Sequence, residues 1–155
     1  MLVNSAGIGI MARLEDAQLR HIDRQLNINL RGLILVTQAA IPHLRSSGSG
    51  WIINLASIAG TTGVPALPIY AATKAAVINL THTLNADLED EGVRAIALCP
   101  GFVDTPMASF TGMASEDMIQ PEDCAEVVRT CLRLSPRASI GQVVIRRVGE
   151  RGGAG

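Results

Sequence analysis

The chain has 155 residues, enough for one domain with a real core, and 48% hydrophobic against 17% charged residues excludes a disordered or fibrous protein. Thirteen basic and fourteen acidic residues leave a formal charge of -1, with no basic block and no aromatic–basic interleaving, which argues against nucleic acid as a partner. Aromatics at 3% leave an aliphatic, alanine-rich core of the kind that packs helices closely on a parallel sheet.

In chain order, "MLV" (1–3) reads as a strand stub. "GIGIMA", with Gly7, Gly9 and Ala12, matches G-x-G-x-x-A, but that fingerprint needs a second strand ending in an acid about twenty positions on. A helix occupies that region, with Asp23 on a polar face beside Arg20, Arg24 and Asn27, so the segment reads as a strand-to-helix loop. The apolar start has no basic n-region and is too short to span a bilayer, and no later stretch is long enough without a charge or a Gly/Pro break. Residues 15–44 predict one long helix, with Leu19, Ile22, Leu26, Leu30, Leu33, Ala40 and Leu44 at helical spacing. "SSGSG" (46–50) is a turn, "WIINLA" (51–56) a strand buried on both faces, and "GTTGVPALP" a loop. A second long helix follows over 69–90, with Gly92 at the position that ends it. "VRAIALC" (93–99) is another buried strand, 101–120 is irregular, and Pro121 with Glu122 and Asp123 opens a helix to about residue 134. "QVVIRRV" (142–148) is the last strand and the glycine-rich end a loose tail. Alternating strands and helices predict right-handed crossovers and an open, parallel α/β sheet, whose ligands sit beyond the carboxyl ends of the strands.

Three places fall at those ends: "NSAG" (4–7), Ser57, and "PGFVDT" (100–105). Tyr70 and Lys74, four residues apart, share one helix face that continues through Val77, Thr81, Leu84 and Leu88. Two readings fit the pair. Either Lys74 snorkels while Tyr70 packs, or the ammonium lowers the phenol's pKa toward the range of a general acid/base. Ser57 either caps a turn or hydrogen-bonds a substrate carbonyl oxygen. Asn29 interrupts an apolar stripe, where it either organises a water linking Lys74 to solvent or pairs with a neighbouring backbone. His21, His43 and His82 share no spacing with one another or with acids, and there is no G-x-S-x-G elbow. Cys99, Cys124 and Cys131 form no metal-ligand pattern, and their odd number reads as buried thiols in a reducing, cytoplasmic compartment.

These residues together resemble the short-chain dehydrogenase/reductase family. "NSAG" is similar to that family's N-N-A-G turn, with Ser5 in place of the second Asn. "INLRG" (28–32) is similar to its helix motif, "INLAS" ends at Ser57, Y-x-x-x-K follows thirteen residues later, and "PGFVDT" resembles the segment around the nicotinamide. The resemblance implies a partial Rossmann-like, doubly wound parallel sheet over 1–149, four strands with long flanking helices. It implies NAD or NADP as cofactor, and hydride transfer with a small-molecule carbonyl or secondary alcohol, of ketone or 3-oxoacyl type. By the same resemblance Tyr70 exchanges the proton, Ser57 holds the oxygen, Lys74 lowers the Tyr70 pKa and binds the ribose, and Asn29 keeps a relay water. Asn4, Ala6 and Gly7 would line the adenosine-ribose side, and Pro100, Gly101, Val103 and Thr105 the nicotinamide. Subunits would pair as a homodimer or homotetramer through helices 15–44 and 69–90, with no metal and no membrane.

The family's preceding β-α-β-α-β half, with its T-G-x-x-x-G-x-G turn and the residue that sorts NAD from NADP, is not in these 155 residues. Met1 reads as an internal methionine, and "MLV" as a strand left with an unpaired edge. Two expectations follow: a dehydrogenase/reductase active in a longer form, or a non-catalytic assembly module.

Overall fold

In the computed structural model, residues 1–149 are described; the expected loose tail at 150–155 lies outside them. Four parallel strands, β1 (Leu2–Asn4), β2 (Gly50–Leu55), β3 (Val93–Pro100) and β4 (Gln142–Ile145), lie side by side in sequence order. Ile52 pairs with Leu2 on one side and Ala95 on the other, and Ala97 pairs with Gln142. β2 and β3 are buried on both faces, which explains their near-continuous apolar sequence. Among the described residues β1 has a neighbour on one side only, and Val3 on it is exposed.

The helices cover both faces of the sheet. Side chains alternate along a strand, so Ile52, Val93 and Ala95 meet Leu44 of α2 (Leu33–Ser46) and Leu84 and Leu88 of α3 (Pro68–Leu88). Trp51, Ile53 and Ile96 point the other way, toward Val127, Val128 and Cys131 of α4 (Pro121–Leu132). This corrects one expectation. With all strands parallel and in sequence order, a helix on the opposite face makes the β3–α4–β4 crossover opposite in hand to the two before it. Right-handedness is a strong preference for such crossovers, and this one departs from it. The long segment 101–120 precedes α4 and supplies residues that line the cavity.

The expected helix over 15–44 is four pieces. A 3-10 turn (Leu14–Asp16) comes first, and Gln18 is extended, so α1 begins only at Leu19 and runs to Leu26. A π-helical stretch, Asn27–Gly32, then joins α1 to α2. Gly32 suits that wide turn: a Cβ there would lie 3.2 Å from the Asn27 carbonyl oxygen. The buried face also differs from the expected apolar stripe. It carries Gln25, Asn29, Leu33, Thr37 and Leu44, while Leu19, Leu26, Ile34, Leu35 and Val36 are exposed. The helix packs partly against loop backbone, which needs amide partners, so polar residues go inside.

Local signals read from sequence have clear physical counterparts elsewhere. Pro68 opens α3 and Pro121 opens α4, where a missing N–H costs nothing. Gln120 and Asp123 complete a capping box at α4. Gly92 follows the last turn after α3 with φ +76, and a Cβ there would also strike the Gly48 carbonyl at 2.9 Å. Along α3 the face Lys74, Val77, Thr81, Leu84 and Leu88 is buried, as its spacing predicts. Among the described residues no helix is long and apolar enough to cross a membrane.

Candidate active site

β2 ends at Leu55, and two residues on, Ser57 is extended at the start of a 3-10 turn (Ile58–Gly60). Gly60 is the reason that turn can lie on α3. A Cβ at position 60 would fall 2.7 Å from the Lys74 carbonyl carbon and 2.8 Å from the Ala75 nitrogen, so any side chain would push turn and helix apart. The close approach brings Ser57, Tyr70 and Lys74 to one wall of a cavity of about 430 Å³ beyond the carboxyl ends of β2 and β3. The rest of the wall and roof comes from Pro100, Gly101, Phe102, Val103 and Thr105, together with Met107 and Phe110. An isolated bridge between Val103 and Ile119 ties that roof together, and the Phe102 and Phe110 rings meet edge-on at 6.2 Å.

The polar groups on the wall are partly committed. Ser57 Oγ accepts from the Ala59 N–H at 3.1 Å, so the serine does cap its turn; its own O–H remains available to donate. Lys74 is 5% exposed, and its Nζ donates to the Leu55 carbonyl at 2.6 Å, which holds the ammonium at the end of β2. Nζ stands 5.6 Å from the centre of the Tyr70 ring. Burial pulls the Lys74 pKa down to about 8, opposed by charge interaction with the Cys99 thiol. The expectation that Lys74 lowers the Tyr70 pKa is not met in the free chain. Burial raises the phenol, and the Ser57 hydroxyl draws it only part of the way back. Desolvation disfavours the charged form of both groups, and a half-buried phenolate beside a weakened ammonium gains too little to reverse it.

Asn29 lies outside the cavity wall, buried behind it. Its Oδ1 accepts from Ile8 N at 2.8 Å, and its Nδ2 donates to Ile8 O at 2.9 Å and to Thr73 Oγ1 at 3.1 Å. Thr73 in turn donates to the Tyr70 carbonyl at 2.7 Å. The amide is therefore a clamp between the 5–11 loop and α3. One turn earlier on the same face, Gln25 accepts from Ile10 N at 3.1 Å. Two amides at i and i+4 thus grip alternate residues of an extended loop, and Gly7, Gly9 and Met11 between them face the cavity. The sequence reading missed Gln25; a second polar residue one turn before Asn29 was the signal available.

Of the other expected positions, Gly7, Pro100, Gly101, Val103 and Thr105 reach the cavity. Asn4 and Ala6 do not. Asn4 turns inward, donating to Asn54 Oδ1 at 2.8 Å and Thr37 Oγ1 at 3.0 Å, and Asn54 continues to Thr81 at 2.9 Å. It joins β1, β2, α2 and α3 through a chain of polar side chains. Ala6 is exposed, and Ser5, next to it, takes the place on the wall. The free thiols divide: Cys99 and Cys131 are buried, while half-buried Cys124 reaches the cavity.

A fold with helices on both faces of a parallel sheet, and a serine, tyrosine and lysine at its carboxyl edge, defines a class. The family model for short chain dehydrogenases matches residues 1–115, and the chain belongs to that family. It is 33% identical over 148 residues to an uncharacterised oxidoreductase of Staphylococcus epidermidis and 32% identical to one of Staphylococcus aureus. Each alignment takes in 96% of this chain and 64% of the relative, so the chain spans about two thirds, and no more, of these curated relatives. Among solved structures it is similar to the closed form of a serine dehydrogenase complexed with NADP+, at TM-score 0.89 and 27% identity over 99% of this chain and 66% of the other. It is also similar to a 3-ketoacyl-(acyl-carrier-protein) reductase from Brucella melitensis complexed with NADH, at TM-score 0.83 and 28% identity over 94% of this chain and 64% of that one.

Proposed function

We propose that residues 1–149 are part of a single domain of an NAD(P)-dependent oxidoreductase that interconverts a ketone or 3-oxoacyl-type carbonyl compound and its secondary alcohol. The observation that carries this is the convergence of the Ser57 hydroxyl, the Tyr70 phenol and the Lys74 ammonium on one cavity, which the 100–105 segment also lines. The residues fit the nicotinamide side of a dinucleotide. Lys74 has N–H donors left after Leu55, and Gly7 has no side chain to fill the 3.5 Å between its missing Cβ and Lys74 Nζ. The dinucleotide, when bound, supplies the hydride chemistry.

The chain's own residues supply position and a proton. Ser57 donates its O–H to the substrate carbonyl oxygen, with one acceptor lone pair already taken by the Ala59 N–H. Tyr70, whose phenol burial pushes further above its ordinary value, carries a proton it can give to the same oxygen, which suits the reduction direction. Lys74, still mostly ammonium at pH 7, offers ribose hydroxyls a charged donor and favours the phenolate left after transfer. Asn29 holds the loop wall in place. A homodimer or homotetramer paired through helices 15–44 and 69–90 would cover part of the exposed apolar side chains Leu26, Ile34, Leu35 and Val36, and a cytoplasmic location suits three free thiols. The same exposed side chains favour the second reading, a non-catalytic assembly module.

Tyr70→Phe separates the two readings. In the native protein from its source, carbonyl-dependent NAD(P)H oxidation should fall by at least about a hundredfold with the fold retained, in line with loss of a positioned acid. Turnover unchanged by the substitution would sink the oxidoreductase assignment to these residues.

A further inference from the structure

Away from Ser57 and Tyr70, the cavity is walled by hydrocarbon and thioether. Val64 and Leu67 come from the loop before α3, Met11 from the clamped loop, and Phe102, Met107 and Phe110 from the roof. Met11, Met107 and Phe110 are 52%, 44% and 52% exposed, an unusual price for three large apolar side chains at one cavity mouth. Phe102 and Phe110, in edge-on contact at an interplanar angle of 74°, both line the cavity. The ionisable groups on this wall are Tyr70, Lys74 and Cys124, and the Lys74 ammonium is held to Leu55 at the far end. Around the mouth there is neither a carboxylate to receive an ammonium nor a guanidinium to receive a carboxylate among the described wall residues. A zwitterion laid there would lose water from both charges without gaining partners.

We propose that the site takes an uncharged ketone or secondary alcohol bearing an apolar arm, with the arm lying between Met11, Met107 and Phe110. This rests on the oxidoreductase reading and adds the substrate class to it. The likeness to a serine dehydrogenase is then one of fold, because the wall described here lacks groups for an amino acid's two charges. Two methionines among the lining residues also suit arms of varied shape, since an unbranched thioether adapts to its contact.

The test is a series of 2-alkanones from four to ten carbons, with oxocarboxylates of matched length, titrated by calorimetry into the native protein. Affinity should tighten about fourfold per added methylene until the cavity is filled, and each oxocarboxylate should bind at least about tenfold more weakly than its matched ketone. Phe110→Ser and Met107→Ser, both at exposed positions, should flatten the chain-length dependence, and Tyr70→Phe should leave it intact. A flat series, equal binding of the oxocarboxylates, or a chain-length dependence indifferent to both serine variants overturns the proposal. The oxidoreductase reading fails separately, when Tyr70→Phe leaves turnover unchanged.

Discussion

Lys74 carries a charge that the fold makes costly, and the cost depends on pH in a definite direction. Its pKa is pulled from 10.5 to about 8 by burial. Below pH 8 the ammonium is present in both folded and unfolded chains, and its burial penalty is fully felt. Between pH 8 and 10.5 the folded chain releases the proton first, so stability recovers as pH rises, by about 3 kcal/mol at most. Cys99 works against this, because burial raises its thiol from 9.0 to about 11, and its contribution is lost as pH climbs through that window. Comparing the native protein with Lys74→Met takes the burial of the cysteine out of the difference and leaves its charge interaction with Lys74. In urea denaturation the variant should be the more stable at pH 7, with the gap closing as pH is raised toward 10. A gap independent of pH would mean that Lys74 is not desolvated as described. The sequence identified Tyr70 and Lys74 as partners, because a four-residue spacing is a local property of a helix. It misjudged the direction of the Tyr70 shift, because desolvation is set by everything packed around the phenol and not by its helical neighbour.

Among the elements, the π-helical junction between α1 and α2 matters most to the site. It sets Gln25 and Asn29 against the 5–11 loop, where they take up the backbone of Ile8 and Ile10. Gln25→Leu keeps the volume but strands the Ile10 N–H, which should cost about 1–3 kcal/mol by thermal or urea denaturation. A loss under about 0.3 kcal/mol would show that water replaces the glutamine and that the clamp is Asn29 alone. The helix itself was legible from its period. Its buried face was not, since Leu19 and Leu26 of the expected stripe are exposed while Gln25, outside it, is buried. Hydropathy assigns a face correctly when the partner is another apolar surface, as for α3. It fails when the partner is loop backbone, whose N–H and C=O groups demand amides.

On the scale of the whole molecule, the cavity from Ser57 and Lys74 to Thr105 is, under the proposed function, the place for the nicotinamide side of a dinucleotide. The 155-residue chain by itself should therefore bind NAD(H) and NADP(H) weakly, since the glycine-rich phosphate turn of the resembled family is not in its sequence. Calorimetry with the isolated chain checks this, and submicromolar affinity for either dinucleotide would refute it. The sequence by itself determined the order and kind of the strands and helices, the helix stop at Gly92 and the helix start at Pro121. It also determined the spacing that makes Ser57, Tyr70 and Lys74 a set. All of these are written in periodicity and local backbone chemistry. Only the tertiary structure decided that α4 crosses to the opposite face, that segment 101–120 roofs the cavity, and that Asn4 turns inward to Asn54 while Asn29 clamps a loop. Those outcomes depend on which surfaces meet. Side chains far apart in sequence settle them together, by competing for one buried space and for the hydrogen-bond partners inside it.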